Sequence, residues 1–292
     1  MKTKFITCIY SDLHGTEFGG RPSRKEHYRW SLLSLLKMNE ADFVCYTSQN
    51  EYEELCNFFY VLNHISKEKL DIKVFELKNS PYQELFSKYK NINEIMSGDR
   101  CLEIQYMKLN WFLSEDGSYD YYFWIDAGLS HCGIIPNKYL PLLGTQYRGY
   151  FESNLFRNNL LYNLINFAED KFVLIGKENI RNYWSATVNN SHYFEYDNSI
   201  HIIGGLFGGK KELWLPMIDM FTKYLNDVAN CDNKLYHEEQ IFSLIYRNHI
   251  SLFKLLYFEI WWHEDERIPN FDIISHTKAN KSFYKILEEL NG

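Results

Sequence analysis

Short apolar runs alternate with amphipathic stretches from the first residues onward. Lys4–Tyr10 is β-branched and aromatic and reads as a buried strand. A helix follows from about Ser23 to Met38, with Ser23 and Glu26 spaced as a capping box and Tyr28, Leu32, Leu35 and Leu36 forming an apolar stripe. Asp42–Tyr46 is a second strand, Glu51–Ser66 a second helix and Asp71–Leu77 a third strand. This βα alternation predicts a mainly parallel sheet. Pro81–Lys90 and Arg100–Leu113 have helical patterns, and the second leads through the polar turn Ser114–Ser118 into a strand at Tyr121–Ile125.

The later part is less regular. It predicts a helix at Leu155–Phe167 and strands at Lys171–Ile175 and Ile200–Phe207, the last stopping at Gly208-Gly209. Helices follow at Lys211–Val228, interrupted near Pro216, and at His237–Asn248. A strand at Leu252–Phe258 and a terminal helix at Ser282–Leu290 complete the pattern. With no internal repeat or linker, residues 1–292 read as a single Rossmann-like α/β domain with a mainly parallel central sheet flanked by helices.

Composition narrows this picture. At 292 residues the chain is long enough to bury a large α/β core. It carries no apolar run of membrane length and no signal peptide. Six scattered cysteines, with no Cys-x-x-Cys pair, suit reduced thiols and a soluble cytoplasmic protein. A formal charge of −7 argues against a nucleic-acid surface, which would show a basic stripe. The aromatic content of 17% could supply sugar-stacking platforms, but the bias towards Lys, Asn, Ile, Phe and Tyr explains it equally well.

Chemistry concentrates at a few points. In Tyr121–Gly128 an apolar strand runs into Asp126, Ala127 and Gly128, which places a carboxylate at the carboxyl edge of a sheet. Ligands bind at that edge in open α/β folds, although an Asx-turn closing the strand would use the same residues. The loop Ser11–Arg24 lies between strand one and helix one. A helix amino terminus favours phosphate, and Arg21 or Arg24 adds charge-assisted contacts. Gly204, Gly205, Gly208 and Gly209 permit close approach of backbone to a ligand, or to a neighbouring strand. Glu238 and Glu239 open a helix, where the macrodipole alone would favour acids.

Taken together, the strand ending Trp124-Ile125-Asp126-Ala127-Gly128, the Gly204–Gly209 segment and the His237-Glu238-Glu239-Gln240 helix start resemble a GT-A-type glycosyltransferase. Within that class the chain is similar to the HtrL/YibB-like family. The resemblance implies transfer of a sugar from a nucleotide-diphosphate-sugar donor to a hydroxyl of a glycan, lipopolysaccharide or capsule acceptor. It implies a donor half in 1–130 and an acceptor half with the C-terminal tail in 131–292. Ser11, Arg21, Arg24, Lys108, Asp126, Ala127 and Gly128 would serve the donor, and Gly204, Gly205, Gly208, Gly209 and Glu238 the acceptor. Glu239 would act beside Asp126 as a catalytic carboxylate, the general base if the reaction inverts.

Such enzymes usually carry Asp-x-Asp for Mn²⁺ or Mg²⁺. Here Gly128 occupies the second acidic position, leaving Asp126, with His263 and His276 as further metal candidates. The implied partners are a nucleotide sugar and a glycan, without nucleic acid or a transmembrane segment, and with at most peripheral membrane contact. Two other readings use the same residues. A non-catalytic glycan- or nucleotide-binding protein could share the fold. Ser11-Asp12-Leu13-His14-Gly15 also matches the opening of a metallophosphoesterase, but the other three ligand motifs of a two-metal site are missing.

Overall fold

The computed structural model describes residues 1–11, 24–38, 41–96, 102–127, 159–178 and 200–258. Strands β1 (Thr3–Ile9), β2 (Asp42–Thr47), β3 (Leu70–Val74) and β4 (Tyr121–Ile125) are joined by helices α1 (Arg24–Met38), α2 (Gln49–Cys56), α3 (Gln83–Met96) and α4 (Leu102–Asn110). Helix α5 (Asn159–Ala168), strands β5 (Phe172–Glu178) and β6 (Ile200–Lys210), helices α6 (Trp214–Asp232) and α7 (Glu238–Asn248) and strand β7 (Phe253–Phe258) follow.

All seven strands form one sheet in the order β3-β2-β1-β4-β6-β5-β7. The β3-β2-β1-β4 and β5-β7 pairings are parallel, and β6 runs antiparallel to both of its neighbours. The mainly parallel α/β sheet expected from the alternation is therefore present. The reversal of β6 brings its early residues to the carboxyl end of β4.

Strand β4 is buried along its whole length because both faces of the sheet are covered. Tyr122 and Trp124 pack with Tyr106 of α4, Phe221 of α6 and Phe242 of α7. Tyr121, Phe123 and Ile125 point the other way, into a second cluster with Leu32 and Leu36 of α1 and Leu164 of α5. The stripe expected on α1 does face this core. Trp111 stacks between Tyr46 (5.3 Å between centroids) and Trp124 (5.6 Å), so these aromatic residues fill the interior.

Three local features differ from the sequence expectations. Helix α2 continues into a π-helical turn at Asn57–Leu62. Strand β6 runs through the paired glycines to Lys210 instead of stopping at Phe207. Gly208 lies against β4, and a Cβ there would come within 2.3 Å of Tyr122 O. Pro216 does not interrupt α6, because it falls in the first turn, where a backbone N–H has no intrahelical acceptor. The expected helix at Ser282–Leu290 lies outside the described residues. Among the described residues no helix is long and apolar enough to cross a membrane.

Candidate active site

Asp126 is the first residue after β4. Its N–H donates to Gly205 O at 2.8 Å, which extends the β4–β6 pairing to the sheet's carboxyl edge. The side chain is 39% exposed there. Its Oδ1 accepts the Trp124 indole N–H at 2.8 Å and lies 3.1 Å from Lys108 Nζ. The strand thus supplies both the carboxylate and, two residues earlier on the same side, the donor that orients it.

Lys108 comes from α4 and is 8% exposed. An ammonium has three donors, and three oxygens surround this one: Glu238 Oε1 at 2.7 Å, Gly204 O at 3.1 Å and Asp126 Oδ1 at 3.1 Å. The Trp124 ring lies beneath it, 5.6 Å from Nζ to the centroid. Burial alone pulls the Lys108 pKa down, but the Asp126 and Glu238 carboxylates outweigh it and hold the group above the ordinary lysine range. Lys108 is a fixed cation joining three chain segments.

Gly204 is where the backbone comes closest to this ion pair. A Cβ at that position would lie 2.4 Å from Glu238 Oε1 and 3.3 Å from Lys108 Nζ. The β5–β6 register shifts between Leu174 and Ile175, and Gly204 falls in that irregularity. Helix α7 takes up its N–H, which donates to Glu239 Oε1 at 3.1 Å. Ser243 reinforces the junction, accepting from Ile202 N at 2.9 Å and donating to Glu239 O at 2.6 Å. A bulge beside a cluster of charged groups is a common way to re-aim backbone at a site.

The start of α7 is fixed in turn. Gln240 Oε1 accepts the His237 N–H at 3.0 Å, closing the first turn. Gln105 Oε1 lies 3.1 Å from His237 Nδ1 and accepts the Glu238 N–H at 3.4 Å. Gln105 and Lys108 are one helical turn apart and share a face of α4, so this spacing was the signal by which Gln105 could have been found.

The fold therefore brings Lys108, Asp126, Gly204, Gly205, Glu238 and Glu239 together. Other sequence candidates lie elsewhere. Gly208 and Gly209 pair with Phe123 and Tyr122, roughly 10 Å along the strand from Gly205. Ala127 is buried in the cluster on the α1 side, so only its backbone could meet a ligand. Ser11 is at the carboxyl end of β1, but its N–H donates to Glu51 Oε2 at 2.9 Å and its hydroxyl to Glu51 Oε1. Glu51, buried in the first turn of α2, was not singled out from the sequence, because an acid there is what any helix start favours.

Arg24 opens α1, and its side chain lies outside the described residues, as do Arg21, Gly128, His263 and His276. Among the described residues no three His, Cys, Asp or Glu side chains converge as a metal site. Asp126 Oδ1 is engaged by Lys108 and Trp124, so among the described residues Asp126 could offer a divalent cation its Oδ2, with the remaining ligands coming from substrate or water.

No protein-family model matches the chain, and no curated protein matches its sequence. Its fold is similar to that of mouse xyloside xylosyltransferase 1, solved in its apo form. That alignment covers 87% of this chain and 85% of the other at 11% identity, with a TM-score of 0.51. The fold is GT-A-like. A 4-diphosphocytidyl-2C-methyl-D-erythritol synthase from Anaerococcus prevotii aligns over 97% of this chain and 96% of its own, at 10% identity and a TM-score of 0.44. That second likeness is too weak to build on. At 11% identity the property shared with the xylosyltransferase is the α/β fold.

Proposed function

We propose that the protein is a glycosyltransferase that moves a sugar from a nucleotide-diphosphate donor to a hydroxyl of a glycan, lipopolysaccharide or capsule acceptor. The observation that carries the reading is Asp126, held at the carboxyl edge by Lys108 and Trp124 with Gly204 and Glu239 alongside. The GT-A-like fold shared with a xylosyltransferase supports it. The narrower likeness to the HtrL/YibB-like family rests on Trp124–Gly128.

Charge divides the work. Among the described residues Lys108 stands with the carboxylates of Asp126, Glu238 and Glu239, a set that offers acceptors to the hydroxyls of a sugar or ribose. In this reading the Asp126 carboxylate accepts hydroxyls of the donor and orients it. The diphosphate belongs at the amino end of α1, where Arg21 and Arg24 offset the charge that develops as it departs. Glu239, anchored through Oε1 to the Gly204 N–H, accepts the proton of the acceptor hydroxyl if the reaction inverts and positions the acceptor or donor sugar if it retains, and Gly204–Gly205 gives the acceptor a close approach to backbone.

The test is release of free nucleotide diphosphate from a panel of nucleotide sugars, with and without Mn²⁺, in the presence of hydroxyl acceptors. Turnover by the native chain and its loss in Asp126→Ala support the proposal. Binding without turnover would favour a non-catalytic nucleotide-sugar binder, and cleavage of a generic phosphoester would favour a phosphoesterase. If no nucleotide sugar shifts the melting temperature, the proposal fails.

A further inference from the structure

A second recess lies on the other side of α4 from Lys108. It has a volume of about 380 Å³ and opens between the start of α3 and the second half of α6, with the buried Asn110 and Tyr82 at its floor. This volume is within the roughly 300–1,000 Å³ of small-molecule sites. Lys108 and Asn110 are two residues apart on α4, so their side chains leave nearly opposite faces of the helix. The recess is therefore separate from the candidate active site.

Its chemistry is distinctive. Three asparagine amides line it, and each is fixed at one end. Asn110 Nδ2 donates to Tyr82 Oη at 2.5 Å and to Tyr106 O at 3.5 Å. Asn226 Nδ2 donates to Thr222 O at 2.9 Å. Asn230 Oδ1 accepts from Lys88 Nζ at 2.8 Å and from Tyr89 Oη at 3.1 Å. These bonds leave carbonyl oxygens on Asn110 and Asn226 and amide hydrogens on Asn230 to meet a ligand, as a ring of both acceptors and donors.

Pro81 and Leu85 add an apolar wall. The charges at the rim are opposite, Glu84 and Lys88, so the recess favours neither an anion nor a cation. Fixed amides beside an apolar wall match a neutral ligand that carries hydroxyls on one side and C–H groups on the other. We propose that this recess binds a short neutral saccharide. The proposal does not depend on the reaction assigned to the Asp126 site.

The test is saturation-transfer NMR on the full chain with xylotriose, cellotriose and chitotriose as probes, followed by titration of any that bind. The variant is Asn226→Ala/Asn230→Ala. Both residues are exposed on α6, and the stronger helix propensity of alanine offsets part of the loss of the Lys88 and Tyr89 bonds to Asn230; the melting temperature of the variant is measured alongside to confirm that it is folded. We expect at least one probe to bind with a dissociation constant in the millimolar range. Affinity should fall tenfold or more in the double variant and stay unchanged in Asp126→Ala. Failure of all three probes to bind, binding that survives the double variant, or binding lost instead in Asp126→Ala would each overturn the proposal.

Discussion

Lys108 Nζ lies 2.7 Å from Glu238 Oε1, and both side chains are almost fully enclosed, at 8% and 2% exposure. The pair is buried where α4, β6 and α7 meet. Its cost of desolvation is met only while both partners are present.

Lys108→Met takes the Lys108 ammonium away from the buried Glu238 carboxylate and is expected to destabilise the protein by about 3–5 kcal/mol. Lys108→Met/Glu238→Leu removes both charges and should recover most of that loss. Urea unfolding of the two variants checks this, and equal destabilisation in both would contradict it.

Gly204→Ala forces Glu238 to shift, because the new Cβ would lie 2.4 Å from Oε1. Overpacking of this kind costs about 1–3 kcal/mol. Gly208→Ala should be worse, since its φ is +150° and the atoms in its way are backbone of Tyr122 and Phe123. The ranking is read from thermal midpoints. In a Glu238→Ala background, adding Gly204→Ala should therefore cost less than it does in the native chain, whereas no side-chain change should ease Gly208→Ala.

Asp126→Asn keeps an oxygen for the Trp124 indole but removes the charge. Its side chain is 39% exposed, so stability should change by about 1 kcal/mol or less. If Asp126 orients a donor hydroxyl in the transition state, nucleotide release should fall roughly 10²-fold. Full activity in this variant would remove Asp126 from the chemistry.

Acid stability should depend on Glu115, far from the site. Its carboxylate is 1% exposed and accepts from Lys4 at 2.8 Å, Lys73 at 2.9 Å and Tyr46 at 2.6 Å. Burial raises its pKa, but the bonds from Lys4, Tyr46 and Lys73 prevail and bring it below its usual 4.5. A depressed carboxylate contributes stability that is present above its unfolded pKa and lost as pH falls through its folded one. The native chain should therefore lose stability as pH drops below about 4.5. In Glu115→Gln that part of the pH profile should flatten, as measured by denaturant midpoints between neutral and acid pH.

Much of this architecture is legible in the residues. Apolar runs at β1, β2 and β4, separated by amphipathic helices, are dictated by which faces the sheet covers, and the periodicity reports that directly. The direction of β6 is not local information. An apolar segment reads the same whether it pairs parallel or antiparallel, and its extension through Gly208-Gly209 depends on β4 lying against it. Asp126 stands out because a charge ends a fully apolar strand. The pairing of Lys108 with Glu238 does not, since nothing near either residue refers to the other. The same limit hid Glu51, whose partner Ser11 is 40 residues away.

The Lys108–Glu238 contact also has a history during synthesis. Its partners are 130 residues apart, so Lys108 is made on the order of 10 s before the carboxylate that will enclose it. Until α7 is made, water, Asp126 and, late in that interval, Gly204 O are the groups of this site that can meet the ammonium. The nascent amino-terminal half therefore cannot seal its sheet over this position. Burial of the cation is deferred to the emergence of α7, which makes the arrival of Glu238 a late commitment step in building the site.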